Sequence, residues 1–442
     1  MKNYNLLISI LLVAVICSCT RNKSVDLFDN PDNGLIAQND KLSKFYVPVK
    51  KITSTPGYHW FAYYDKIQCD PSNRYVLGMQ TTFEHRSPTS GDVIDVGMID
   101  LQDDCKWIKL GETRAWGWQQ GCQLQFIPGT TDQILWNDKE GDMFVCHIMN
   151  IKTHEKRTIP WPVYALSPDG KWAVTTDYRR VNDTRPGYGY AGIPDPNKDI
   201  LSPDNSGIWK IDLQTGEAEL IISLAQAAGI INPYDEDFQE AKHWFNHLLV
   251  NPDATRFIFL HRWRYDDTEK NERYRGVGGF GTRMFTAAPD GSDLRIIDPY
   301  NYTSHFIWRD PSHILAWTRI PDLGNGFFLF EDSQVENITH IGKEVMKLNG
   351  HCTYLPGTDW IINDTYPSKG ERLQSVYLYN EKTGEHIPLA DFYSPPDYNG
   401  EWRCDTHPRS TPDGNFVIVD SPNWEGRQMY MLDLRGILNK NK

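Results

Sequence analysis

The amino-acid sequence predicts an all-β fold, a seven-bladed β-propeller whose last blade is closed by an N-terminal strand. Three observations predict it. A strand-like run that ends at a turn proline recurs seven times along the 442 residues. Apolar residues alternate between turn clusters with almost no helical periodicity, the pattern of antiparallel sheet. The repeat period is roughly 40 to 60 residues with four strand-like runs per unit, which is the spacing of propeller blades.

Taken in order, the repeated runs fall at 64–71, 123–129, 163–170, 246–253, 304–311, 350–357 and 401–414. Turns such as Pro412-Asp413-Gly414 reverse the chain. Second strands then follow at 74–80, 133–137, 172–176, 256–260, 314–318, 360–363 and 416–420. Outer strands split by turn signals come next, as in 208–217 and 376–385. The last unit supplies only three strands, ending at 429–434, so the fourth is expected from 45–49, leaving no open blade edge. Two insertions, 178–206 and 265–281, leave from the ends of second strands. One propeller domain is therefore expected over 44–438, and 40% hydrophobic residues suffice for its core.

Ahead of it, an apolar run from Leu6 to Ile16 is too short to span a bilayer and has the shape of a secretory signal. Ile16-Cys17-Ser18-Cys19 resembles the bacterial lipoprotein cleavage box, which makes 1–19 a signal and Cys19 the lipidated residue; an ordinary cleaved signal is the alternative. Residues 20–43 read as a polar tether. The chain is then exported and held at a bacterial membrane, periplasmic or outer, by its lipid alone.

Six further cysteines, Cys69, Cys105, Cys122, Cys146, Cys352 and Cys404, form no Cys-x-x-Cys motif, and buried thiols are expected for most. A formal charge of −13 argues against nucleic acid as a partner, so an anionic ligand needs a local cluster of cations or a metal. The glycine-rich run 276–281 opens no helix, and there is no Gly-x-Ser-x-Gly elbow. Tryptophan (15) and tyrosine (22) are abundant, suited to propeller cores and to platforms for sugar rings.

In each blade the first two strands form a hairpin, so the start of the first and the end of the second share one face of the disk. His247, His305, His351 and His407 start first strands. Gln80, Asp138, Asp177, Arg179, His261, Arg262, Arg319, Asp364 and Asp420 lie at or just beyond the ends of second strands. These groups are expected to converge on one mouth of the central channel, although any single histidine could simply cap a strand. Asp405 and His407, two apart on a strand, point the same way. Imidazoles with a carboxylate suit a first-row transition ion, manganese or zinc.

His261 at a strand end, then 281–292, Ser304-His305-Phe306-Ile307-Trp308, and Asp405-Thr406-His407-Pro408 together resemble the oligogalacturonate lyases, propellers of polysaccharide lyase family 22. The resemblance covers the second half of the chain. It implies a divalent metal, typically manganese, with His305 and His407 as ligands and His261 as base. Where that family has His-Pro-His this chain has Asp405-Thr406-His407, and where it has glutamine this chain has Trp402 beside Glu401, so Asp405 and His351 enter the expected ligand set.

The chemistry implied is β-elimination on a uronic-acid-containing oligosaccharide by a monomer. Arg179, Arg262 and Arg283 are the candidate carboxylate partners, and Tyr188 or Tyr190 the leaving-group acid. Arg283, His247, Arg319 and Trp263 are expected to bind substrate. Two other classes stay open: a glycoside hydrolase using Asp138, Asp364 or Asp420 as acid and base, and a non-catalytic glycan-binding or scaffold lipoprotein.

Overall fold

The computed structural model of the chain describes residues 27–28, 42–423 and 425–438, the side chains of 275–277 excepted. The leader with Cys19, and most of the tether, lie outside the described residues. Among the described residues there are seven antiparallel sheets, six of four strands and one of five; five run in simple sequential order, and the last two each take in a strand from the N-terminal segment. In the fourth blade these are Lys242–Val250, Phe257–Arg264, Gly281–Ala287 and Arg295–Asp298. Blades pack face to face, so Phe257–Arg264 is buried at seven of its eight positions. One strand face packs on the preceding blade and the other on the following blade, and both must be apolar.

The ring closes through the N-terminal segment, with a division the sequence did not reveal. Val49–Lys51 pairs antiparallel with Gln428–Asp433 and completes the seventh blade. Lys44–Phe45 instead adds a fifth strand to the sixth blade, opposite Asp391 and Ala390. The segment therefore fastens two neighbouring blades. Earlier in the chain, Phe28 stacks on Phe416 at 5.7 Å, and Phe416 opens the second strand of the seventh blade, at its turn-side end.

The first blade departs from its repeat. Tyr58–Trp60 pairs with Tyr75–Thr81, and Cys69 rejoins the ladder opposite Val76, so 61–68 leaves the innermost position and enters the channel. There the Tyr64 hydroxyl donates to the Phe306 carbonyl at 2.9 Å and accepts from the Phe306 amide at 3.1 Å, in the fifth blade. The Phe126 amide donates to the Ile67 carbonyl at 2.9 Å, in the second. A segment read as the first inner strand thus plugs the axis and ties blades on opposite sides of it.

Both expected insertions rise from second strands. In the first, the helix Tyr178–Thr184 is capped by the Asp177 carboxylate. Buried Arg180 holds this insertion by donating to the His243, Asn197, Ile200 and Leu201 carbonyls at 2.6–3.0 Å and pairing with Asp195 at 3.1 Å. A third insertion between the third and fourth blades was not foreseen; it holds the helix Leu224–Ala228 and the turn Phe238–Glu240. All six described cysteines are free thiols and all but Cys105 are buried.

Phe45, Val47 and Val49 are 7%, 4% and 2% exposed. Burying each contributes about 1.5–3 kcal/mol, and their loss also opens two sheet edges. A chain beginning at Ile52 is expected to lose roughly 5 kcal/mol or more in urea denaturation and to aggregate by edge pairing in light scattering.

Candidate active site

His305, His351 and His407 each precede the innermost strand of their blade, Phe306–Trp308, Thr353–Tyr354 and Arg409–Ser410, in three consecutive blades. Their rings meet at the channel. The His305 and His351 centroids are 4.3 Å apart, as are those of His351 and His407. His407 reaches this position with a φ of +42°, a left-handed conformation uncommon outside glycine.

Asp364, which ends Trp360–Asp364, organises the group. Its carboxylate accepts from the His351 amide at 2.6 Å, from His351 Nδ1 at 3.0 Å, from Thr406 Oγ1 at 2.5 Å and from the His407 amide at 3.2 Å. With Nδ1–H thus engaged, the His351 lone pair lies on Nε2. His305 is oriented alike, Nδ1 donating to Asn349 Oδ1 at 2.9 Å while Nε2 stands 3.4 Å from the Tyr366 hydroxyl.

Three buried atoms then converge without a hydrogen-bond partner among the described residues: His351 Nε2, His407 Nε2 and Asp405 Oδ1. Asp405 Oδ2 lies 4.0 Å from His351 Nε2 and 3.9 Å from His407 Nε2, and one ligand atom from each of the three residues falls within 4.8 Å of the others. Each orphan costs about 1–3 kcal/mol. Two imidazole nitrogens and a carboxylate oxygen are the donors a divalent transition ion takes, so these residues fit one. Burial, followed by the neighbouring His351, pushes His407 and His305 well below the usual imidazole range and keeps both neutral.

The plug forms the floor. Tyr63 stands edge-on to His247 and His407, each at 4.9 Å, and Tyr64 lies 6.0 Å from His305. Beneath it Asp65 is 3.2 Å from Lys66 and 3.3 Å from His247 Nε2, all three buried. Burial alone would raise the Asp65 carboxyl; Lys66 and His247 more than offset this and hold it low. His247 is therefore a partner of the plug rather than a group lining the mouth.

Above the histidines, Arg403 donates to Asp405 Oδ2 at 2.8 Å and to the Tyr188 hydroxyl at 2.7 Å. Tyr188 clusters with Tyr63, Tyr64, Val181, Trp244 and Phe280. Three guanidiniums surround Phe280: Arg185, Arg262 and Arg264, at 4.9, 5.0 and 5.4 Å from its ring. Arg262 is 3% exposed, yet its Nε and Nη1 have no partner among the described residues. A guanidinium cannot shed its proton, and an unpaired buried charge is costly, so this position favours an anion.

No protein-family model and no curated protein matches the chain. Solved structures do. An oligogalacturonate lyase from Vibrio parahaemolyticus and an oligogalacturonate lyase in complex with manganese each align with a TM-score of 0.62 at 14% identity, over 90% of this chain and 96% of the other. The fold is that of the oligogalacturonate lyases.

Within that fold, the structure gathers His305, His351, Asp405, His407, Tyr188 and Arg262 and leaves other expected residues elsewhere. His261 is the main correction. Its Nε2 is 2.9 Å from His243 Nδ1 and its Nδ1 is 3.3 Å from Arg283 Nη2, so neither nitrogen is free to take a substrate proton. The reason is strand alternation. Arg262 shares its strand face with Leu260, which packs on the fifth blade, while His261 shares the opposite face with Phe259, which packs on the third.

Arg283 is spent on the Ala227, Ile230 and Ile231 carbonyls at 3.1–3.2 Å, and Trp263 Nε1 on Asp235 at 2.9 Å, all within the unforeseen insertion. Arg179 pairs with Asp177 through two bonds of 2.8 and 2.7 Å beside a separate cleft. Arg319 is exposed over Tyr302 at 4.6 Å. Tyr190 is buried against Tyr178 at 4.1 Å.

Of the hydrolase carboxylates, Asp138 is bound by the Arg114 and Lys139 amides and Asp420 by Arg409, each within its own part of the ring, and Asp364 is enclosed by its donors. Sequence reasoning missed Arg403 and Tyr366. Tyr366 follows the second strand of its blade, so the rule that selected Asp364 reaches it when extended by two residues. Tyr63 had no such signal.

Titration with Mn(II) or Zn(II) by calorimetry is expected to show one site per chain. Asp405→Ala should abolish it, and Asp364→Asn should weaken it about 10- to 100-fold through loss of imidazole orientation.

Burial pushes His243 down to about 3 and His261 well below the usual range. In the unfolded chain each titrates near 6.5, so below about pH 6.5 the unfolded state binds more protons. Their stabilising contribution is full above that pH and falls by about 1.4 kcal/mol per unit and per group as the solution is acidified. In urea denaturation, His243→Phe should flatten the loss between about pH 6.5 and pH 5 by about 2 kcal/mol.

Proposed function

We propose that the chain is a lyase that cleaves uronic-acid-containing oligosaccharides by β-elimination. One juxtaposition carries this reading: a cation-type donor set of His351, Asp405 and His407 lies under an aromatic layer holding a buried guanidinium, Arg262, with two unpartnered nitrogens. Both elements do the same thing, which is to neutralise a carboxylate in a site poor in water.

The proton alpha to a uronate carboxylate is weakly acidic, and its removal places charge on that carboxylate. Arg262 supplies fixed positive charge there, with Arg185 and Arg403 nearby. His351, Asp405 and His407 would hold a divalent ion, manganese or zinc by their donor types, and it would supply Lewis-acid stabilisation of the same charge.

His305 acts as base in place of His261. Its Nδ1–H is fixed by Asn349 and burial keeps the ring neutral, so Nε2 has a lone pair for the C5 proton. As the C5–H bond breaks, its electron pair forms the C4–C5 double bond and the C4–O bond breaks. The Tyr188 hydroxyl, which accepts a hydrogen bond from Arg403, keeps its own proton to give to the departing oxygen. The manganese complex of a protein with this fold supports the choice of ion. We read the leader as a lipoprotein signal with Cys19 as anchor, which Cys19→Ser tests by releasing the protein from membranes.

Incubation with polygalacturonate, alginate and their oligomers is expected to produce ultraviolet absorbance of a conjugated uronate and products one water lighter than hydrolysis products by mass. His305→Ala and Arg262→Met should each lower kcat/KM at least about 100-fold. Hydrated products overturn the reading in favour of a hydrolase. Binding without any product overturns it in favour of a glycan-binding protein.

A further inference from the structure

A second cleft opens beside the chain segment that leads into His305. Its volume is about 550 Å³, and Tyr234, Arg273, Tyr274, Tyr300, Tyr302 and Arg319 line it. Tyr234 is 49% exposed and meets Tyr300 edge-on at 5.1 Å. Arg319, exposed, lies over the Tyr302 ring at 4.6 Å, and among the described residues only its Nε is committed, to Asn325 at 2.9 Å.

The cleft is held rigid from behind. Buried Asp235 accepts from Trp263 Nε1 at 2.9 Å, from the Tyr265 hydroxyl at 2.6 Å and from the Tyr274 hydroxyl. Arg273 Nη1 reaches the same carboxylate at 3.2 Å and its Nε donates to the Lys270 carbonyl at 3.1 Å, so this half-exposed guanidinium is largely committed to the wall. Asp322 is the acidic residue at the rim.

Tyrosine rings with both a wet face and a polar tip, interleaved with guanidiniums, suit a pyranose that carries a carboxylate: the rings take its C–H face and the forked donors its charge. Asp235 offsets Arg273, so in a chain of net charge −13 the cation this cleft offers an anion is Arg319, through the Nη1 and Nη2 donors it does not spend on Asn325. Position adds to this. Tyr302 is three residues from His305, so their Cα atoms are at most about 11 Å apart, a span that one oligosaccharide bridges.

We propose that this cleft is an outlying subsite for an acidic glycan, holding a uronate unit of the same chain whose cleavage occurs at His305. The proposal rests on the lyase reading for the direction of the chain, and binding at the cleft is measurable without catalysis. The test compares wild type, Arg319→Ala with Tyr302→Ala, and Arg319→Lys in affinity electrophoresis and calorimetry against polygalacturonate, alginate, heparin and neutral galactan. Thermal unfolding serves as the check on folding.

Wild type is expected to bind polygalacturonate or alginate and not galactan, which also distinguishes the sources of the carboxylate. The double variant should lose at least about tenfold in affinity at unchanged melting temperature, and Arg319→Lys should fall between them. Equal affinity of wild type and double variant, binding of galactan as strong as that of the acidic polymers, or a preference for heparin overturns the proposal. Should the variant lose acidic-glycan binding while wild type releases no unsaturated product, the subsite stands and the lyase reading fails.

Discussion

The site depends on one buried carboxylate. Asp364 is inaccessible to solvent and accepts hydrogen bonds from two blades, His351 of the sixth and the Thr406–His407 backbone and hydroxyl of the seventh. Inside a protein such bonds are strong because water cannot compete, and for the same reason each donor left without them is expensive. The blades can therefore meet in only one register near the axis, and that register turns two imidazole lone pairs inward. What looks like a structural tie between blades is also what presents the metal-type donors.

A propeller axis is naturally open, since seven inner strands leave a gap that their side chains must fill. Here the segment 61–68 fills it from one side, so that Tyr63 packs against three histidines of three different blades. The consequence is a site closed below by aromatic edges and above by Tyr188 and Phe280, where charge is poorly screened and interactions with a carboxylate are correspondingly strong. The negative charge of the whole molecule matters little at this range, because the local carboxylates are answered in place: Asp405 by Arg403 at 2.8 Å, Asp65 by Lys66 at 3.2 Å and Asp364 by its ring of donors.

Blade number, hairpin polarity and the meeting of His305, His351 and His407 were legible in the sequence because each follows from a repeated turn at fixed distance from a strand start. The errors have equally definite causes. Phe257–Arg264 is buried on both faces, so its pattern does not tell which side chains face which neighbouring blade; a place near the strand end points His261 to the channel mouth, whereas its face turns to the third blade. The insertion 224–241, which encloses His261, Arg283 and Trp263, carries two short helical turns too brief to give a periodic signal. The plug reads as a strand in sequence because 64–71 ends at a turn proline, Pro71, as the other repeats do, and only its tertiary partners, Phe306 and Phe126, pull it out of the ladder.

The contact between Phe28 and Phe416 has a directional consequence. Phe416 follows the 411–415 turn, at the rim farthest from His407, and Arg435 lies over its ring at 5.0 Å. The chain therefore comes to the disk from the turn-bearing side. Residues 20–26 span at most roughly 29 Å between Cys19 and Leu27. Under the proposed lipidation of Cys19, the turn-bearing rim would sit toward the bilayer and the histidines would look outward, toward solution.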